Sequence, residues 1–396
     1  MSKISYPTIT RIHARNFRSL ADITVDLNPL TILVGPNGSG KSNVVDVLRF
    51  LRDILLRGLD TAIMDRNGMS AIRRWSPKGK PFDVHIELFF SLLEAEGKYA
   101  FTLGSESRAE YRVKSEVLCI KSNNKKLIDL EIKNNELIKP ENLIERLNPK
   151  NYFTKELNDL QLLRLARMMD TENNYKIITQ VNRLFSNMGF YTIFPNNLRE
   201  PQKSANPFPL DENGQNLASV LRHIKNSGKG NLYDHIVFAL TKVVPDLDDI
   251  SVTQVGGYYV TRLHYKADSV KGRRPSFELS QESDGTLRML GILTSLYQIP
   301  PKPLLAIEEP ELTIHPGALG VLCDEIQDAS LRSQIIITTH SPELVSQFPA
   351  DAFRAVEKVK GITHIGEISA NQRRAINQKL FSPGEIMRIE GFLREE

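Results

Sequence analysis

Cysteine is nearly absent: the 396 residues contain two, Cys119 and Cys323, far apart and without metal-ligand spacing. A disulfide framework or a zinc site is therefore not expected, and a reducing compartment is. No run approaches the ~20 apolar residues of a membrane span. The opening MSKISYPTIT lacks the apolar core of a secretion signal. The expectation is a cytoplasmic chain with no membrane partner. Neither charge sign dominates, with 51 Lys and Arg against 47 Asp and Glu, and a net charge of +4 does not by itself imply nucleic-acid binding. No heptad pattern persists over several turns, so a long coiled-coil arm is not expected. What remains is 41% hydrophobic and 25% charged, enough for a large core and two or three domains.

The most informative stretch is residues 30–50, LTILVGPNGSGKSNVVDVLRF. Leu30 to Val34 reads as a buried strand, and Val44, Val45, Val47, Leu48 and Leu51 carry a helical apolar pattern. Between them lies G-x-x-x-x-G-K-[ST], Gly35 to Ser42. Glycines let the backbone wrap an anion where a Cβ would obstruct it, and successive N–H groups form a nest at a helix N-terminus. Asn37, Gly38, Ser39, Gly40, Lys41 and Ser42 are the expected nucleotide contacts. Lys41 would reach the β/γ-phosphates and Ser42 would supply oxygen to Mg²⁺.

Upstream, residues 8–28 alternate as a hairpin with Ile9, Ile12, Phe17, Ile23, Val25 and Leu27 inward, and Asn16-Phe17-Arg18-Ser19 at the bend. Arg18 is either an exposed turn residue or a nucleotide contact. A hairpin ending in NFRS and followed by LVGPNGSGKS resembles the N-terminal lobe of RecF/SMC/OLD-like ABC-type ATPases. Later motifs extend the likeness. Ser283-Asp284-Gly285 before a helix resembles the signature motif, which in that family meets the γ-phosphate held by an opposite subunit; Ser283 and Gly285 are its expected contacts. PLLAIEEPE, residues 303–311, resembles a Walker B strand. The resemblance implies that Glu308 holds Mg²⁺, Glu309 activates water and His340 of TTHS senses the γ-phosphate. Adjacent acids on a strand face opposite ways, so a bend is required at the strand end, and Pro310 is placed to make one. The resemblance implies that ELTIHP, with Glu311 and His315, is the D-loop region near a dimer interface, and His315 reads equally as a helix N-terminal residue. Arg199, in LRxP, is a further candidate contact.

The expected fold is α/β: a two-lobed ABC-type head with a mixed β-sheet around a P-loop helix, plus a helical insertion. The expected domains are an N-terminal lobe at 1–120, a mainly helical insertion at 121–245, a C-terminal lobe at 246–370 and a helical tail at 371–396. Leu143, Leu147, Leu160, Leu163 and Leu165 carry part of the helical spacing in the insertion. No acidic D-x-D cluster follows His340, so the chain is expected to be the ATPase half without a Toprim nuclease domain. The resemblance implies ATP and Mg²⁺ as cofactors and a homodimer or higher homo-oligomer. It also implies a separate effector, a Toprim-like or HNH nuclease or a toxin, in anti-phage defence. A DNA-repair clamp is the alternative. Nucleic acid is a candidate ligand through Arg73, Arg74, Lys78 and Lys80 around Trp75, and Lys271, Arg273 and Arg274 form a second small basic cluster. A solvated loop anchored by Trp75 is the preferred reading of the first cluster.

Overall fold

The structure is a computed structural model that describes residues 6–76, 81–104, 110–123, 125–134, 136–139, 159–163, 172–228, 230–267 and 274–395. Lys78, Lys80, Leu143, Leu147, Leu165, Lys271 and Arg273 lie outside the described residues. In chain order the strands are β1 (Thr8–Phe17), β2 (Leu20–Asp26), β3 (Leu30–Val34), β4 (Val84–Ser91), β5 (Glu96–Gly104), β6 (Arg112–Ser122), β7 (Lys125–Lys133), β8 (Glu136–Lys139), β9 (Gly189–Tyr191), β10 (Gln202–Lys203), β11 (Leu247–Val255), β12 (Tyr258–Tyr265), β13 (Ser276–Glu278), β14 (Leu304–Glu308), β15 (Gln334–Thr339), β16 (Phe353–Val359) and β17 (Ile362–Glu367). The helices used below are α1 (Lys41–Arg57), α2 (Glu172–Ser186), α3 (Gly230–Thr241), α4 (Asp284–Tyr297), α5 (Pro316–Ser330) and α6 (Pro342–Val345).

The chain divides into two compact units. The first comprises Met1–Met188, Phe353–Ala370 and Phe392–Glu396. Its seven-stranded antiparallel sheet has the order β2-β1-β4-β5-β6-β7-β8. Strict alternation explains the sheet's two faces: Val84, Ile86, Leu88 and Phe90 of β4 are buried, while His85, Glu87 and Phe89 are half-buried on the other side. The inner face meets α1 and α2 through Phe17 against Phe50 and Phe90 edge-on to Phe185, with ring centroids 5.8 and 5.5 Å apart. The six inward residues expected of the first hairpin are all buried. In the same unit β3 runs parallel to β16, which pairs antiparallel with β17.

The range expected to be mainly helical opens instead with β7 and β8, which extend the sheet. The Lys-, Glu- and Leu-rich composition pointed to a helix, but KKLIDLEIK alternates. Ile128, Leu130 and Ile132 all face the core, a period of two that only a strand satisfies.

Segment 159–163 is pinned to this sheet by a buried carboxylate. Glu116 of β6 accepts hydrogen bonds from the Tyr99 hydroxyl at 2.6 Å and from the Gln161 and Leu162 amides at 2.7 and 3.0 Å. Burial pushes its pKa up to about 7, against the pull of these hydrogen bonds. The folded chain therefore holds this proton more tightly than the unfolded chain. The stability from this group is full below its ordinary value of 4.5 and is lost as pH rises through about 7. At 1.36 kcal/mol per pKa unit, the stability difference between wild type and Glu116→Gln is expected to swing by about 3 kcal/mol across that window. Denaturant melts at a series of pH values check this, and parallel curves for the two proteins would refute it.

The second unit comprises Gly189–Ala352 and Asn371–Gly391. Here β14 is flanked by β9 and β15, all parallel. All six residues of β15 are buried, as expected for a parallel strand covered on both faces. A smaller antiparallel sheet, β10-β12-β11 with β13 beside β12, lies in the same unit. Its β11–β12 hairpin turns at Gly256-Gly257, as the sequence suggested. Among the described residues no helix is long and apolar enough to cross a membrane.

Candidate functional site: a glycine loop and a glutamate–histidine pair

In the first unit, β3 ends in the glycine loop and α1 begins at Lys41. Gly40 is the N-cap with φ 110°, and Gly38 has φ 76°, conformations that L side chains rarely adopt. A Cβ on Gly40 would also lie 2.2 Å from Thr363 Oγ1. Thr363 of β17 donates to the Ser39 carbonyl at 2.8 Å and shares a hydrogen bond of 2.7 Å with the Ser19 hydroxyl. Asn43 donates to that same hydroxyl at 2.6 Å. The bend after β1 thus braces the glycine loop through Ser19.

No side chain caps α1, and its first turn carries no acid. An uncapped helix end behind a positive-φ glycine loop is a cradle that suits an anion, and ATP phosphates fit it. Asn37, Gly38 and Ser42 are exposed on the loop. Lys41 is buried, its ammonium folded onto the Gly35 and Pro36 carbonyls at 2.7 and 3.1 Å. Ser39 is only 1% exposed and its hydroxyl has no hydrogen-bond partner among the described residues, so its side chain belongs to the loop's packing. Arg18 has φ 50° and pairs with Asp46 of α1 at 2.9 Å. Asp46 is also held by the buried Arg66, which reaches Asp53 as well.

In the second unit, Glu308 is the last residue of β14. The required bend is made by Glu309 itself, whose φ is 45°; Pro310 follows it. Such a backbone costs about 1–3 kcal/mol for a residue with a side chain and persists only where its surroundings enforce it. Three hydrogen bonds do so, one of them local, from the Leu312 amide to the Glu309 carbonyl at 3.2 Å. The Glu309 amide donates to the Thr338 carbonyl of β15 at 2.9 Å. The Arg288 guanidinium, reaching from α4, donates to the Glu309 carbonyl at 2.8 Å. Arg288 is 3% exposed and also donates to the Ile193 carbonyl at 2.7 Å, with a longer 3.5 Å contact to Glu308.

The bend turns the Glu309 carboxylate toward His340, with Oε1 3.2 Å from Nδ1. His340 directly follows β15, and Ser341 caps α6 with Pro342 in its first turn. The two side chains are 30% and 39% exposed, open enough to meet water. Glu311 accepts from the Thr339 hydroxyl, and burial raises its pKa above the ordinary value. The Thr339 hydroxyl in turn accepts from the Ser341 amide at 3.0 Å.

Ser283 caps α4, accepting from the Thr286 amide at 3.2 Å. A Cβ on Gly285 would stand 2.7 Å from the Thr313 carbonyl, so only glycine lets these segments approach. Together with His315 and Met289 they line a groove of about 270 Å³. His315 caps α5, its Nδ1 accepting from the Gly317 amide at 3.1 Å. Arg199 donates to the Ser280 and Glu282 carbonyls at 3.1 and 2.8 Å and pairs with Asp284, bracing the turn into α4.

Sequence reasoning missed Arg288 and Thr339. The signal for Arg288 was a lone basic residue in LRMLGILTSL, an otherwise uncharged helix face. The basic cluster in the first unit also differs from expectation. Trp75 is 75% exposed, while Arg73 is buried. Arg74 lies over the Phe82 ring, 5.6 Å from its centroid.

These features meet their match among known proteins. Residues 30–346 match the family described as "AAA domain, putative AbiEii toxin, Type IV TA system". A 45-residue stretch, 11% of this chain, is 44% identical to the chromosome partition protein Smc of Methanocaldococcus jannaschii. Another of 37 residues, 9% of the chain, is 49% identical to the OLD nuclease of Thermus scotoductus. The matched stretches span only 4% and 7% of those relatives. An Smc head bound to the C-winged helix domain of ScpA superposes with a TM-score of 0.58 at 13% identity, covering 93% of this chain and 99% of that one. An Smc head with an extended coiled coil, bound to the C-terminal domain of ScpA derived from Pyrococcus furiosus, gives 0.51 at 13% identity over 94% and 99%. The fold is that of an ABC-type ATPase head, similar to the Smc heads and RecF/SMC/OLD-like ATPases, and the chain belongs to the AAA family described as putative AbiEii toxin.

Proposed function

We propose that this chain hydrolyses Mg²⁺-bound ATP and uses the nucleotide to join two copies of itself, a switch that controls a separate effector. The observation that carries the reading is the Glu309–His340 pair at the ends of two parallel strands, with Glu309 bent out of line to make it. In this reading Lys41 and the loop from Asn37 to Ser42 hold the phosphates. Ser42 and Glu308 supply the hard oxygen donors that suit Mg²⁺. The metal, when bound, neutralises phosphate charge. Glu309 takes a proton from water, and His340 orients that carboxylate and meets the γ-phosphate. Ser283 and Gly285 serve the nucleotide of the partner copy. Arg18, tied to Asp46, positions α1 behind the loop.

The family description, which names a toxin of a toxin–antitoxin system, and the OLD nuclease among the relatives support a role in defence with a nuclease or toxin effector. Exposed Trp75 beside Arg74 favours a second reading, a DNA-activated repair ATPase. One experiment separates them: ATP turnover by the purified chain, with and without DNA, alongside co-purification with the product of its neighbouring gene. Turnover indifferent to DNA, with a nuclease or toxin bound, is expected. Stimulation by DNA that falls steeply with salt and vanishes in Trp75→Ala would select repair. Absence of any turnover would overturn both.

A further inference from the structure

The outer face of the seven-stranded sheet carries a cluster that the ATPase reading does not use. His13 of β1 sits directly across from Glu87 of β4, and His85 lies two residues along β4 on the same face, opposite Arg15. One donor atom from each of the three lies within 4.8 Å of the others, and all three side chains are half-buried. We propose that His13, His85 and Glu87 form a binding site for a divalent transition-metal ion of the zinc class.

The geometry around His13 is the main argument. Both ring nitrogens face carboxylate oxygens, Nε2 to Asp22 Oδ1 at 3.0 Å and Nδ1 to Glu87 Oε2 at 3.4 Å. Carboxylates only accept. If Nε2 carries its proton toward Asp22, the Nδ1 lone pair points at another acceptor, and a positive centre belongs between them. The 3.4 Å separation is long for an imidazolium–carboxylate hydrogen bond, which runs at about 2.7–2.9 Å. It matches the edge of a tetrahedron built on bonds of about 2.1 Å, the usual zinc–nitrogen and zinc–oxygen length.

Each ligand also has the second partner that metal sites characteristically show. Asp22 orients His13, giving a carboxylate–histidine–metal line. The Thr102 hydroxyl lies 2.9 Å from His85 Nδ1 and can take its proton, leaving the Nε2 lone pair for the ion. Lys98 holds the other Glu87 oxygen at 2.9 Å, leaving Oε2 directed at His13. Two imidazoles and one carboxylate are a borderline donor set that selects zinc-like ions over Mg²⁺ or Ca²⁺ and leaves a position for water. The three residues lie in the first unit, on the sheet face opposite α1, so the site stands apart from Lys41 and the glycine loop.

The test uses the full chain, stripped with chelator and titrated with Zn²⁺ against a chromophoric competitor, then with Co²⁺ as a spectroscopic probe. One equivalent of Zn²⁺ per chain is expected, with the visible spectrum of tetrahedral nitrogen–oxygen Co²⁺. His85→Gln and Glu87→Gln should abolish it, and Asp22→Asn should weaken it by about 10–100-fold. Zn²⁺ should raise the melting temperature of wild type but not of His85→Gln, which reads binding even if a variant folds poorly. Equal Zn²⁺ uptake by wild type and the His85→Gln variant, or a cluster that takes up only a proton and no metal, would overturn the proposal.

Discussion

Glu309→Gln is expected to slow ATP turnover by about 10²–10⁴-fold, the usual contribution of a positioned general base. The substitution keeps the side chain's length and shape. The amide oxygen can still accept from His340 Nδ1, now 3.2 Å from the carboxylate. The backbone bend survives as well, because it is held through the Glu309 amide and carbonyl, by Thr338 and Arg288. Only the ability to take up a proton is lost. Nucleotide binding should therefore persist, and the ATP-bound state should accumulate because its exit by hydrolysis is blocked. On the proposed mechanism that state is a pair of chains, so Mg²⁺-ATP should shift the variant to twice its mass in size-exclusion chromatography with light scattering. A variant that stays monomeric with full turnover would remove Glu309 from the mechanism.

The second large effect is at Arg288. Its guanidinium is buried on α4 and joins three backbone carbonyls, those of Ile193, Glu308 and Glu309. Two of these contacts are short charge-assisted hydrogen bonds, each worth about 1.5–3 kcal/mol. Arg288→Ala removes both charge-assisted bonds and leaves the Glu309 carbonyl only the weaker Leu312 amide at 3.2 Å, at an expected cost of about 3–5 kcal/mol in stability.

The milder Arg288→Lys variant separates folding from positioning. A compact ammonium lacks the planar fork by which the guanidinium reaches Ile193 and Glu309 through separate nitrogens. The Glu309 backbone then relaxes, and misplacement by about 1 Å is enough to cost ~10²-fold in rate. Turnover should fall by about 10–100-fold while ATP affinity, which the proposed mechanism assigns to the glycine loop, changes by less than about twofold. A purely structural role would lower the melting temperature and leave kcat per folded molecule unchanged, which active-site titration would reveal.

Much of the site was legible in the sequence because its chemistry is local. A glycine loop between a strand and a helix needs only eight consecutive residues, and the ends of β14 and β15 announced themselves as apolar runs closing on Glu308 and His340. The cap at Ser341-Pro342 and the one at Ser283 were likewise readable, because capping acts over three or four residues. What was not legible depends on partners distant in sequence. The bend was attributed to Pro310, yet it is held by Arg288, 21 residues away, and by the adjoining strand β15. Trp75 reads as the anchor of a solvated loop in preference to a base-stacking platform, and nothing in its sequence neighbours foretells that it stands 75% exposed.

By itself the sequence determined the chemistry this protein can present: a phosphate cradle at Gly35–Ser42, two acids at a strand end, a histidine after the next strand, and the ABC-type class they signal. Those features are set by spacing along a few residues and by backbone preferences that act locally. Only the tertiary structure decided how they are aimed. It turned Glu309 into a left-handed bend that faces His340, tied Arg18 to Asp46, and buried Ser39 within its own loop. It also brought His13, His85 and Glu87 together across two strands more than seventy residues apart in sequence, with His13 and Glu87 facing each other at 3.4 Å. A strand's register and a buried arginine's choice of carbonyls are fixed by packing against distant residues, and no local pattern encodes them.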